Sequence, residues 1–590
     1  MLGQSLVISD FMRKACQIRI FWFLIGLLPF AAMAQVQVVV EISGLDTEYE
    51  TNVRLNLGIE RQKSSELLTA AQLKRLFKKS DLEISKALEP YGYYHPLIDS
   101  RLIDEGDNQW RAIFKIESGP PVIIDRFDFK IEGEIRTDPD FVTLLDSASP
   151  ETGKRFSHIE YERFKSSLVA IATERGYFDA TFSTHQVAID RNAKTASIEM
   201  SYDSGPRYRF GEIRFDQNAL DDSLLQRFAS FQRGDPYDLD QLLSFQQALN
   251  DTRYFQVVEV YPGEAHEQTQ EIPIQVRLTQ RSRHHYKIGL GYGTDTGARA
   301  KFGWEMPRIN AEGHHFDSEF GVSEIGHKII ANYRIPVLDP RTDQLVFTAS
   351  EEKEAFETGD STRSGLGISL VHSRAKWRET LSLEYQEEDF SIDGVEDTSE
   401  LLIPGVSWVR TWGPDFINVL DGVRLDFILR GADEDFASNT SFEQYGINIK
   451  FITSLTPRDR LLLRGGAGTI ETDEFERIPS SIRYYAGGTN SVRGYAYQSL
   501  GPTDDDGDAI GARRLLVGSI EYEHFYNDRW GLAVFLDAGN AIDDFDDDVE
   551  QGAGFGWRWR SPVGLIRVDL ANSISADRDW RLHFNIGPDL

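Results

Sequence analysis

The stretch "RRLLVGSIEYEHFYNDRWGLAVFLDAGN", Arg513–Asn540, decides how the carboxyl-terminal half of this chain folds. It holds two runs in which apolar and polar side chains alternate, joined by a polar turn at Asn527-Asp528. A period of two marks a strand with one apolar and one polar face. The same texture runs from about residue 283 to the end, where helical patterns vanish. Sixteen alternating runs follow one another, from "HHYKIGLGYG" (strand 1) through "RRLLVGSIEYEHF" and "WGLAVFLDAGN" (strands 12 and 13) to "DWRLHFNIG" (strand 16). An even number of such strands is the pattern of a transmembrane antiparallel β-barrel.

The connections test that count. Outer-membrane barrels alternate short turns on one rim with longer loops on the other. Turns after even strands are short ("NAEG", "TPRD", "ND", "SPV"), with "GPDFINVLD" after strand 8 longer. Connections after odd strands include "KEAFETGDS", "SIDGVEDT", "ADEDFASN" and "AIDDFDDDV". No apolar run after residue 34 is long enough for a membrane helix, which leaves a barrel as the spanning structure.

The amino terminus reads as an export signal, residues 1–34. Arg13, Lys14 and Arg19 precede the apolar run "FWFLIGLLPF", and Ala32-Met33-Ala34 has the small-x-small form of a cleavage site. Asp10 suits such a signal poorly, so Met12 is a candidate start beside Met1. The single cysteine, Cys16, lies within this segment, so the mature chain has no disulfide and no thiolate chemistry. Formal charge is −31; removing Arg13, Lys14, Arg19 and Asp10 (net +2) leaves −33. That charge excludes nucleic acid as a natural partner.

From residue 35 to about 281 a strand-helix-helix-strand-strand unit recurs three times. Each unit has a helix ending in an aromatic turn, at Gly92-Tyr93-Tyr94, Gly176-Tyr177-Phe178 and Arg253-Tyr254-Phe255. The first two units close with Ser-Gly-Pro, at Ser118-Gly119-Pro120 and Ser204-Gly205-Pro206. The spacing marks a repeated small α+β domain. The expected boundaries are 35–120, 121–206 and 207–281, with the barrel over 282–590. The aromatic turns read as helix stops with a core ring.

Enzyme motifs are missing. There is no G-x-S-x-G elbow, no H-E-x-x-H and no Walker loop, and the paired histidines His284-His285 and His314-His315 point to opposite strand faces. "DDDGD", Asp504–Asp508, matches part of a calcium loop without its full spacing, so no metal or other cofactor is expected. What remains is the longest connection, between strands 11 and 12, with "GGTNSVRGYAYQSLGP" from Gly487 to Pro502. Loops of that length are functional or disordered, and its glycine and aromatic content argues for order.

"SVRGYAYQSLGP" resembles the Val-Arg-Gly-aromatic loop motif of the BamA/TamA outer-membrane assembly superfamily. "VGSIEYEHF", "AVFLDAGN" and "GAGFGWRWRSPVGLIRVDLA" resemble its barrel motifs, and "LHFNIGPDL" is similar to the TamA branch. Ala512 departs from the pattern, standing where a second glycine is expected. The resemblance implies periplasmic POTRA repeats before a sixteen-stranded outer-membrane barrel. It also implies a loop latch folded into the lumen: Val492, Arg493, Gly494 and Tyr495, with Glu521 and Asp537 as the anions for Arg493. Gly494 allows close approach to the wall and Tyr495 packs on it.

The working part is expected at the seam between strands 1 and 16. Tyr286, Gly289, Gly291 and Gly293 lie on one side of it and Phe584, Gly587 and Pro588 on the other, the last two interrupting the ladder. Few bonds across this seam let it open and pair with an incoming strand. The implied function is an outer-membrane assembly factor, not an enzyme, inserting or translocating autotransporters and other β-barrel clients. Its partners would be those unfolded clients, the bilayer and a TamB-like protein from the inner membrane. The alternatives are a two-partner-type secretion pore, and a POTRA scaffold with a closed barrel supporting phospholipid transport.

Overall fold

The computed structural model describes residues 36–65, 67–356, 359–413, 419–561, 564–575 and 579–587. The expected signal, both candidate starts, Cys16 and Pro588 lie outside them. The chain divides into two compact units, residues 1–208 and 209–590.

The first unit holds two domains of one topology. In the first, strands Gln37–Ser43 and Gln109–Glu117 pair in parallel, and Leu97–Gly106 pairs antiparallel with the latter. A parallel pair needs a long crossover, which the helices supply. The helix Ala70–Leu88 begins at a capping box, Thr69 with Gln72, and buries Leu73, Ile84 and Leu88 against Trp110 and Phe114. After this helix Gly92 turns at φ +87°, a left-handed stop that only glycine adopts freely. The second domain repeats the plan with Ile123–Glu132, Thr195–Asp203 and Thr181–Asp190.

The second unit opens with a third domain of this topology, strands Arg209–Asp216, Glu271–Gln280 and Phe255–Pro262. A sheet of sixteen antiparallel strands in sequence order follows, from strand 1 (His285–Gly293) to strand 16 (Trp580–Gly587). Alternation sets the two faces. In strand 13 (Trp530–Ile542), Leu532, Val534 and Leu536 are 58%, 56% and 46% exposed, while Ala533, Phe535 and Asp537 between them are 2%, 5% and 0%.

Strand length varies around the sheet. Strands 5 to 8 (Asp343–Phe356, Gly359–Arg374, Trp377–Ile392, Val395–Trp412) have 14, 16, 16 and 18 residues. Strands 1 and 16 have 9 and 8. Two segments expected as long connections, "KEAFETGDS" and "SIDGVEDT", are therefore mostly ladder; Ile392↔Val395 closes the second hairpin. Their charged side chains do not oppose this, because a strand projecting beyond the apolar belt keeps its backbone bonds while its side chains meet water. "ADEDFASN" and "AIDDFDDDV" do form loops, beyond Ala432 and Ile542.

The third domain is bonded to one rim of the barrel. Tyr254 Oη donates to Gly313 O at 2.7 Å, Asp221 N to Ala311 O at 2.9 Å, and Arg227 Nη2 to Leu338 O at 2.5 Å.

Candidate functional site: the lumen loop and the seam

Between strand 11 (Asp459–Glu471) and strand 12 (Arg514–Phe525), residues 472–513 fold back into the lumen. The loop has an apolar core of its own. Ala486, Val492, Tyr495, Leu500 and Ala512 pack together with Ala541 of strand 13. Ala512, at the position that departs from the family motif, needs no left-handed turn. It pairs with Tyr484 through two backbone bonds, and the neighbouring Gly511, at φ +81°, makes the turn.

Arg493 is 2% exposed, and its donors meet carboxylates from three strands. Nε and Nη2 grip Asp537 of strand 13 at 2.7 and 2.9 Å, as a planar fork grips a carboxylate. Nη1 donates to Glu521 of strand 12 at 2.6 Å and to Asp569 of strand 15 (Gly564–Ser573) at 3.1 Å. Its guanidinium carbon lies 3.4 Å from the ring centre of Phe535.

The cluster extends beyond the residues the sequence suggested. Arg558 of strand 14 (Glu550–Ser561) donates to Glu521 at 2.5 Å, Glu523 at 2.8 Å and Asp569 at 2.6 Å. Arg460 of strand 11 grips Glu523, and Arg464 reaches Asp537 at 3.8 Å. Four arginines (460, 464, 493, 558) thus face four carboxylates (521, 523, 537, 569), and their formal charges cancel. Cancellation with full hydrogen bonding is what makes such burial tolerable. Their signal in the sequence was a charge at inward parity inside a strand, as Arg558 between the outward Trp557 and Trp559.

Two glycines make room for this docking. Gly494 sits at φ +103°, and a Cβ there would lie 3.0 Å from the backbone of strand 15 at Asn572 and Ser573. A Cβ on Gly552 of strand 14 would lie 1.8 Å from the Arg493 carbonyl oxygen. Tyr495 Oη donates to Glu550 at 2.6 Å. Across the lumen, Glu388 of strand 7 holds the other end of the loop. It accepts from Ser480 Oγ at 3.0 Å, Ser481 N at 3.2 Å and Ser361 Oγ at 2.8 Å.

Strand 1 pairs only with strand 2 (Gly297–Met306), and strand 16 only with strand 15, so no ladder joins strands 1 and 16 among the described residues. Gly289 and Gly291 face inward opposite Lys301 and Arg299, while Tyr286 on the outer face is 63% exposed. Gly293 comes near the Phe584 carbonyl, and the Tyr292 and Phe584 rings lie 6.4 Å apart. Phe584 N donates to Thr294 Oγ1 at 3.3 Å. Gly587 pairs with Leu565 of strand 15, on the edge away from the seam.

The lumen loop bridges this gap, which no sequence signal indicated. Thr489 donates from N and Oγ1 to Asp295, in the turn after strand 1, at 3.0 and 3.1 Å. Its Oγ1 also lies 3.3 Å from His583 Nδ1 on strand 16, and Gly494 N donates to His583 Nε2 at 3.0 Å. An accepting Nε2 places the proton of a neutral imidazole on Nδ1, so a donor chain runs from His583 through Thr489 to Asp295.

Residues 284–589 match the Omp85 superfamily domain. Residues 39–118 match POTRA domain TamA domain 1, and residues 208–281 match a POTRA family described as surface antigen variable number repeat. The chain is 23% identical to the outer membrane protein assembly factor BamA of Nitratidesulfovibrio vulgaris, over 92% of this chain and 71% of that protein. It is 21% identical to the BamA of Neorickettsia risticii, over 91% and 75%. The crystal structure of Haemophilus ducreyi BamA lacking POTRA domains 1–3 superposes with a TM-score of 0.67 at 18% identity, covering 78% of this chain and 99% of that one.

Proposed function

The chain belongs to the Omp85 superfamily, and we propose that it is a TamA-type assembly factor that inserts or translocates autotransporters and other β-barrel clients through the strand 1/strand 16 seam. As an Omp85 protein it is an outer-membrane barrel with POTRA domains, which lie in the periplasm in this family, and it serves outer-membrane assembly or secretion. The TamA-type reading is supported by the match of the first domain and by three domains of POTRA topology. In this reading the POTRA domains dock a TamB-like partner, and no chemical reaction is catalysed.

The observation that carries the proposal is the unpaired seam. Among the described residues strands 1 and 16 leave their facing backbone groups without a shared ladder, and in lipid such groups demand a partner. A client strand supplies one by β-augmentation. The lumen loop, bonded to both edges, keeps the resting seam together.

A disulfide tests it, since the only native cysteine is Cys16. Tyr292→Cys with Phe584→Cys places thiols on facing strands. Oxidation is expected to stop maturation of an autotransporter client and reductant to restore it. Complete crosslinking with normal maturation would sink the seam mechanism.

A further inference from the structure

At the periplasmic rim of the barrel two arginines meet no carboxylate among the described residues. Arg283, just before strand 1, donates Nη2 to Ile309 O at 3.3 Å. Arg308, in the turn after strand 2, donates Nη2 to Gln280 Oε1 at 3.1 Å. Neither has an ion-pair partner among the described residues, and Arg308 Nη1 is buried with no acceptor there. Glu312 of the same turn lies 3.4 Å from His314. Burial and the neighbouring charge of Arg283 both push the Arg308 guanidinium below its ordinary value. Two like charges side by side, one with buried N–H groups unused, form an arrangement that an anion would complete.

The surroundings identify the anion. His284 stacks on Trp304 and Tyr286 along the outer face of strands 1 and 2, with ring centres 6.0 and 6.4 Å apart. Outward aromatic girdles sit at headgroup level in membrane barrels. Arg283 directly precedes His284, and Arg308 follows Trp304 on the same rim. Farther along strand 1, Ile288 and Leu290 are exposed beside the seam, where acyl chains can cover them.

We propose that Arg283 and Arg308 hold the phosphate of an anionic phospholipid headgroup in the periplasmic leaflet, seating one lipid at the strand 1 edge of the seam. Planar guanidinium forks suit a phosphate's oxygens, and a net anionic headgroup adds attraction that a zwitterion lacks. The site goes beyond the assembly reading and does not need it, because it would exist in a barrel whose seam never opens.

The test uses full-chain protein in mild detergent titrated with phosphatidylglycerol, with retained lipid counted by native mass spectrometry. Folding is checked by heat-modifiable gel migration. R283Q/R308Q is expected to lose one tightly retained lipid, with half-saturation weakened about thirtyfold. R308K, which keeps the charge without the fork, is expected to fall between. Equal retention by wild type and the folded double variant would overturn the site. Displacement of the lipid by an equal concentration of inorganic phosphate would overturn the lipid as its source. Should the double variant not fold, exposed Arg283→Gln is read alone: a loss of about fivefold supports the site, and no change overturns it.

Discussion

Arg493 sits where removing one side chain strands several others. Arg493→Ala would leave Asp537 and Glu521 buried with fewer cations, and breaking such a pair costs about 3–5 kcal/mol. The expected outcome is release of residues 472–513, read as faster protease cleavage within the loop while the barrel stays folded. Arg493→Lys keeps the charge but cannot grip Asp537 with two donors, so its cleavage rate should lie between. Gly552→Ala tests the same docking from the wall. Its methyl would meet the Arg493 carbonyl, and such overpacking costs about 1–3 kcal/mol, so the loop should loosen with every charge intact.

Among the elements, strands 1 and 16 differ from the other fourteen in having, among the described residues, one edge each without a ladder partner. Hydrogen exchange should show it: strand 1 amides bonded to strand 2 are protected, while those facing strand 16 exchange rapidly. Strands 5 to 8, laddered over 14 to 18 residues, should exchange slowest along their middles. Thr489 ties the two edges through one hydroxyl. Thr489→Val keeps the volume and removes that bridge, worth about 0.5–1.5 kcal/mol. Spin labels on strands 1 and 16 should then report a severalfold larger separated population, and an unchanged distance distribution would argue that Thr489 does not hold the seam.

For the whole second unit, the third POTRA domain is fixed to the barrel by few bonds, of which Tyr254 Oη to Gly313 O is buried. Tyr254→Phe leaves that carbonyl without its donor, at a cost of about 1–3 kcal/mol. Cleavage between the third domain and strand 1, near Arg281–Arg283, should accelerate while heat-modifiable migration of the barrel is unchanged. If the linker stays equally resistant, the other rim bonds suffice.

The sequence by itself determined the strand count and the three-fold domain repeat, whereas the inward fold of the long loop with Arg493 came from a family resemblance. Period-two alternation is written residue by residue, and strands such as Trp530–Ile542 need only their neighbours to read as two-faced. The Arg493 anions were named through a family resemblance, and the structure sets Glu521 and Asp537 against it. Only tertiary structure brought in Asp569, Arg558 and Arg460, because closing the sheet makes strands far apart in sequence share one lumen. The bridge from Asp295 through Thr489 to His583 spans nearly the whole barrel sequence. No local pattern encodes it, since its three members meet only when the first and last strands are curved into adjacency and the loop is folded between them.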